Sequence, residues 1–183
     1  MPSPLLRLLT EFRIAFQAAD SFRLKKLSNA AIGEAVLDND PMLAEVAVAA
    51  YSLSKLVSKE HVVKSPNWVK AKKEITASLN SSTKIIQQKN EGLFKRNLSS
   101  IVNRVRAVDR SLGNYVRNIS DKGRIKVAST AYARGLSLSQ AARITGADKK
   151  ELQNYIGITK IHDEETVKLS MKDRMGIARE IFS

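Results

Sequence analysis

Four polar residues in the segment KKELQNYI have side chains that can pair with the edges of nucleotide bases. They are Lys149, Lys150, Gln153 and Asn154. Gln and Asn can each form two hydrogen bonds with adenine, and Lys can donate to guanine acceptors or to phosphates. On a helix, the same spacing puts Leu152, Tyr155 and Ile156 on the opposite, inward face. The segment therefore predicts a helix with an apolar side and a base-reading side.

Basic residues precede this segment and are candidates for phosphate contacts. These candidates are Arg104, Arg106, Arg110, Arg117, Lys122, Arg124 and Lys126. Backbone donors in the first turn of a helix that begins after Ser137, with Ser139 inside that turn, are also placed to meet a phosphate. Residues 93–160 contain 14 Lys and Arg but 4 Asp and Glu, so they carry +10 of the chain's net +13. Such focused charge is a candidate footprint for a polyanion, although a solvated basic face without a partner stays open.

The elements that must position these residues have clear start and stop signals. Ser137 and Gln140 fit a capping box, in which each side chain accepts a hydrogen bond from the other residue's backbone. Gly146 falls where a tight turn between two helices needs a positive φ. Asp148 is placed to cap the next helix, and Gly157 is expected to end it.

Residues 122–157 resemble the helix-turn-helix domains of prokaryotic DNA-binding regulators and recombinases. The resemblance rests on a small residue (Ala142), a glycine four positions later (Gly146), two apolar positions (Leu152 and Tyr155) and a polar cap (Asp148). It implies that the second signature helix enters the major groove of duplex DNA. A carboxylate at position 151 departs from this pattern, since it repels phosphates or else accepts from cytosine.

The rest of the chain also shows helical periodicity, which predicts an all-α protein in three parts. These are an N-terminal bundle of about four helices (1–92), a long basic linking helix (93–120), and a helix-turn-helix domain with a C-terminal helix (121–183). In the last part, Asp121 is expected to cap a helix over 122–134, which Gly135 ends.

Capping residues followed by proline mark several of the expected helix starts in the N-terminal part. A first helix begins near residue 4, and its apolar stripe continues to Leu27. Ser28 or Asn29 caps a short second helix toward Leu37. A third begins at Asp40–Pro41, and a fourth begins at Ser65–Pro66 and ends near Gly92.

A heptad pattern marks the long basic helix. Its apolar positions are Leu98, Ile101, Val105, Val108, Leu112, Tyr115 and Ile119. A central position in an intramolecular bundle is the favoured interpretation. A homodimer through Leu98, Ile101, Val105, Val108 and Leu112 is the alternative that stays open.

The segment after Gly157 has two interpretations. Residues 158–169 form either a small hairpin, which would be a wing, or the favoured loop that leads into a last helix. Ser170 and Asp173 fit a capping box for that last helix. Its apolar residues are Met171, Met175, Ile177, Ala178 and Ile181.

Composition argues against several other classes of protein. Cysteine is absent, which excludes disulfides and thiol chemistry and fits a cytoplasmic location. The charges at Arg7, Glu11 and Arg13 interrupt the N-terminal apolar residues, so no signal peptide is expected, and the best uncharged apolar run, 46–53, is too short to span a bilayer. His61 and His162 lack metal-ligand spacing. No metal, no cofactor, no membrane partner and no enzymatic activity are therefore expected.

These observations together predict a DNA-binding protein that resembles a transcriptional regulator. Duplex DNA is favoured over RNA as its partner. The alternative is a non-catalytic module that uses its basic helical face to dock a protein or to bind RNA.

Overall fold

A computed structural model describes residues 4–111 and 119–166, and within these residues the chain forms nine helices and no strand. The helices are α1 (Pro4–Gln17), α2 (Ser21–Asp38), α3 (Pro41–Val57), α4 (Glu60–Val63), α5 (Pro66–Gln87), α6 (Glu91–Ser111), α7 (Ile119–Ala133), α8 (Leu138–Thr145) and α9 (Lys149–Thr166). The predicted all-α class is confirmed.

Side-chain caps fix the starts of α3 and α5, as predicted. The Asp40 carboxylate accepts from the backbone N–H of Met42 at 2.7 Å, and the Ser65 hydroxyl accepts from that of Trp68 at 3.2 Å. A proline follows each cap in the first turn, where its missing N–H costs nothing because that group has no partner inside the helix.

The predicted first helix is wrong in its length, because the chain breaks between α1 and α2. Ala19 adopts a left-handed φ of 51°, and the Asp20 carboxylate caps α2 by accepting from the backbone of Arg23 at 2.9 Å. The apolar stripe to Leu27 is interrupted at this break, where Phe22 is 68% exposed, and burial resumes at Leu24 and Leu27 of α2. Ser28 is not a cap: it lies buried inside α2 and donates to the carbonyl of Ala47 in α3 at 2.8 Å.

Helix α3 lies at the centre of the fold and packs against α1, α2, α6, α7 and α8. Residues 46–50 on this helix are fully buried, and three of them are alanines, whose small side chains let neighbouring helices approach closely. A single cluster of buried residues runs from Leu8 in α1 to Leu152 in α9. The core therefore crosses both of the domain boundaries that were predicted near residues 92 and 120. No helix in 4–111 or 119–166 is both long enough and apolar enough to cross a membrane.

Helix α6 buries the heptad positions in the chain's own core, against α3 and α5. Leu98, Ile101, Val105 and Val108 are each at most 4% exposed. This agrees with the favoured intramolecular interpretation, and it contradicts a homodimer through these side chains, because they cannot meet a second copy without leaving the core. Leu112, Tyr115 and the basic residue Arg117 lie outside the described residues.

The predicted end of the last described helix is wrong. Gly157 does not have the positive φ of a C-terminal glycine stop, and α9 continues to Thr166. Residues 158–166 are therefore helical, and they form neither the expected loop nor a hairpin. The predicted helix with Met171, Met175, Ile177, Ala178 and Ile181 lies outside the described residues.

Candidate nucleic-acid interface

Helices α7, α8 and α9 pack against one another and form a three-helix unit at the C-terminal end of the described chain. Helix α7 already includes Ile119, which lies before the predicted start, so Asp121 is not its cap. The buried carboxylate of Asp109 in α6 accepts from the backbone N–H of Ile119 at 2.7 Å. Asp121 lies in the first turn of α7, where its carboxylate accepts from Arg106 at 3.0 Å. Ile119, the first described residue of α7, is thus bonded to α6 through a carboxylate that no local sequence signal marks.

The connection between α8 and α9 has the geometry that the sequence predicts. The Ser137 hydroxyl accepts from the backbone of Gln140 at 3.2 Å, and the Gln140 side chain accepts from the backbone of Ser137 at 3.0 Å, which completes the capping box. Gly146 ends α8 with a φ of 66°. Two residues later the Asp148 carboxylate accepts from the backbone of Glu151 at 2.8 Å. Three residues, 146–148, therefore join the two helices, a length typical of a helix-turn-helix.

Arg124 in α7 links the α8–α9 connection to α3 through hydrogen bonds. Its guanidinium donates to both carboxylate oxygens of Glu45 in α3, each at 3.0 Å, and to the carbonyl of Thr145 at the end of α8. A side chain at Gly146 would collide with it, since a Cβ there would lie 2.6 Å from Arg124 Nη1. Gly146 thus satisfies two demands, a left-handed backbone and a close approach of Arg124.

The two faces of α9 are as predicted within its first three turns. Leu152 is fully buried, and Tyr155 and Ile156 are partly buried against the core. On α8, the small residues Ala141 and Ala142 are buried. The predicted base-reading side chains are all exposed: Lys149, Lys150, Gln153 and Asn154.

The predicted phosphate ligands fall into two structural groups. Arg110, Lys122 and Lys126 are exposed. Arg104 and Arg106 are partly buried, and they pair with Glu74 at 2.8 Å and with Asp121 at 3.0 Å. Arg124 is paired as described above, and its side chain is 18% exposed. A phosphate contact from any of the paired arginines would require its carboxylate to be displaced.

Some of the groups at the start of α8 that were predicted to bind an anion already form hydrogen bonds in the capping box. Ser137 and Ser139 are exposed. The hydroxyl oxygen of Ser137 and its backbone N–H both bond to Gln140, whereas the Ser137 O–H proton can still be donated outward. Arg143, an exposed cation on α8, was not among the predicted ligands, although the buried positions on either side of it predict that it points outward.

Acidic side chains lie beside the connection between α8 and α9. Asp121, Asp148 and Glu151 line a cleft of about 540 Å³ together with Arg124 and the turn at Gly146. These carboxylates repel phosphates. A polyanion that contacts α9 would therefore have to approach from the side of its exposed lysines and amides.

Comparison of the chain with models of protein families, with curated proteins and with solved structures finds no match.

Proposed function

We propose that the chain binds duplex DNA through α8 and α9, as a helix-turn-helix protein of the regulator type. The observation that carries this proposal is the single exposed face of α9, on which Lys149, Lys150, Gln153 and Asn154 follow a three-residue connection from α8. A major groove admits one α-helix, and these residue types can hydrogen-bond to base edges within it.

The proposal gives phosphate anchoring to the exposed cations. Arg110, Lys122 and Lys126 have no ion pair among the described residues, so they can neutralise phosphates without losing a carboxylate. Exposed Arg143 adds a further positive charge on α8. The structurally paired Arg104, Arg106 and Arg124 are assigned instead to holding the helices in place, and Arg117, Ser137 and Ser139 keep their predicted role as phosphate ligands.

The test is a binding titration with duplex DNA of random sequence, followed by selection of preferred duplexes. Affinity should fall steeply as salt rises, because each neutralised phosphate contributes about −0.9 to the slope of log affinity against log salt. Gln153→Ala should lower the preference for the selected sequence about tenfold or more, since one bidentate contact carries about 1–3 kcal/mol of discrimination.

Matched controls separate base reading from general effects of the substitutions. Gln88→Ala removes an exposed glutamine just after α5 and should leave DNA binding unchanged. Lys149→Gln should weaken binding, whereas Lys70→Gln, an exposed lysine on α5, should have a smaller effect. If random duplex DNA is not bound even at low salt, the proposal fails.

Docking to a protein is the second candidate, and one observation favours it. Ile158 is 60% exposed and lies on the same face of α9 as Lys150 and Asn154, at intervals of four residues. An exposed apolar side chain beside the polar face suits a protein surface better than a phosphate backbone. Substitution Ile158→Ser should leave DNA affinity within about twofold if DNA is the partner, because no charge or base-pairing group is removed.

A further inference from the structure

A cleft of about 350 Å³ lies between α2, α3 and α7, on the side of α7 that faces the N-terminal helices. Lys25 on α2 and Lys126 and Arg134 on α7 line it. Among the described residues that line this cleft, all the charged ones are basic. The three cations share it without an ion pair to any described carboxylate.

Elsewhere the chain supplies a carboxylate where an arginine lies against another helix. Arg7 pairs with Glu34, Arg104 with Glu74, and Arg124 with Glu45. The cations of the cleft lack such partners, although like charges that line one small space repel each other. An anion in the cleft would remove this repulsion.

Two neutral groups in the cleft can donate hydrogen bonds to an anion. They are the side-chain amide of Asn29 and the hydroxyl of Tyr51. Burial raises the pKa of Tyr51; nearby Lys126 lowers that pKa, and Tyr155 raises it. The net rise keeps the hydroxyl protonated as a donor. The hydroxyls of Ser28 and Thr130 already donate to backbone carbonyls, so they can only accept.

The fold holds two of the cations in place. Lys126 Nζ lies 5.9 Å from the centre of the Tyr155 ring of α9, within the range of a cation–π contact. The guanidinium of Arg134 lies directly against Gly33 of α2, where an added Cβ would overlap it. The glycine therefore leaves the space that Arg134 occupies.

We propose that this cleft binds a phosphate group through Lys25, Lys126 and Arg134. Arginine can bond two phosphate oxygens at once, and lysine supplies compact positive charge. The volume is near the lower end of ligand clefts, which span about 300–1,000 Å³, so it suits one phosphate group with a small substituent. The phosphate can come from a phosphorylated small molecule or from a DNA backbone that continues past α9. The first source is independent of the proposed DNA binding, and the second rests on it.

The first experiment titrates the full chain with inorganic phosphate at constant ionic strength against chloride, followed by two-dimensional NMR. Backbone signals around the cleft should shift. The double variant Lys126→Gln/Arg134→Gln should bind phosphate at least about tenfold more weakly, because two charge-assisted hydrogen bonds are lost. Both side chains are exposed, so the fold should persist, which the unchanged remainder of the spectrum verifies.

The control Lys26→Gln/Lys70→Gln removes the same charge at exposed lysines that do not line the cleft. It should change phosphate affinity less than about twofold, since screened charges at a distance contribute little. Equal losses in the two double variants would mean that net charge alone attracts phosphate, and would overturn the proposal. No phosphate-specific shift in the wild type would overturn it as well.

Gly33→Ala tests the placement of Arg134 without a change of charge. The new methyl group should displace the guanidinium and lower phosphate affinity, while α2 should keep its helicity because alanine favours helices. An unchanged affinity would overturn the inference that Gly33 leaves the space from which Arg134 binds phosphate.

Duplex DNA then identifies the source of the phosphate. If the backbone supplies it, the Lys126→Gln/Arg134→Gln variant should reduce the salt slope of DNA binding by about two. If a small molecule supplies it, phosphate binding should fall in this variant while the salt slope falls only by about one, through Lys126. Phosphate binding in the cleft without any binding of random duplexes would refute the proposed function and support the site with a small-molecule source.

Discussion

The guanidinium of Arg124 joins three helices, and this explains why its role was hard to assign from its residue type. It bonds both oxygens of Glu45 in α3 and a carbonyl at the end of α8. Glu45 is 79 residues away in sequence, so no local pattern pairs the two. The exposed side chains Lys149, Lys150, Gln153 and Asn154 were predictable, because helical periodicity alone decides which side of a short capped helix faces solvent.

Substitution Arg124→Gln should lower the free energy of unfolding by about 2 kcal/mol, because Glu45 would be left largely buried without its bidentate partner. Urea unfolding at neutral pH measures this difference. Lys122→Gln is the control: this exposed neighbour on α7 makes no ion pair among the described residues and should change stability by less than about 0.5 kcal/mol. Equal stability of Arg124→Gln and wild type would show that the three-helix contact contributes nothing.

At the scale of the element, helix starts were easier to predict than helix ends. Caps at Asp40, Ser65 and Ser137 are local signals, since each bonds a backbone group two or three residues later. Gly157 misled because a glycine ends a helix only when it adopts a positive φ, and here α9 continues through it. The hydrogen bond from the backbone of Ile119 in α7 was missed because its acceptor, Asp109, belongs to another helix.

The two glycines of the α8–α9 region should therefore respond to alanine in opposite ways. Gly146→Ala should destabilise the protein by about 1–2 kcal/mol, because a left-handed backbone disfavours a Cβ and Arg124 must move. Gly157→Ala should stabilise it by up to about 1 kcal/mol, because the residue is exposed and a Cβ there meets nothing within 4 Å.

Thermal unfolding of both variants measures the difference between these glycines. A shift of the same sign in both would contradict the roles given to them. Circular dichroism before unfolding verifies that each variant keeps the helical content of the wild type, so that the comparison concerns stability.

At the scale of the whole molecule, α3 is the helix against which N-terminal and C-terminal helices both pack. The sequence predicted the helical class, but it could not predict that α7 and α8 pack on α3, because these contacts join residues far apart in the chain. Alanine-rich α3 showed only a general apolar pattern, and its packing against α1, α2, α6, α7 and α8 follows from tertiary contacts. The three-helix unit of α7, α8 and α9 consequently shares its core with the N-terminal helices.

This shared core leads to a prediction about the isolated three-helix unit. A fragment of residues 119–166 should be largely unfolded in solution, because it loses the surface of α3 and the partner Glu45 that holds Arg124. So short a chain also buries a small fraction of its surface. Circular dichroism and the cooperativity of thermal unfolding measure this, with the full chain as the control. A fragment that unfolds cooperatively with a midpoint near that of the full chain would show that the unit is an independent domain, and α3 would then be a support rather than a requirement.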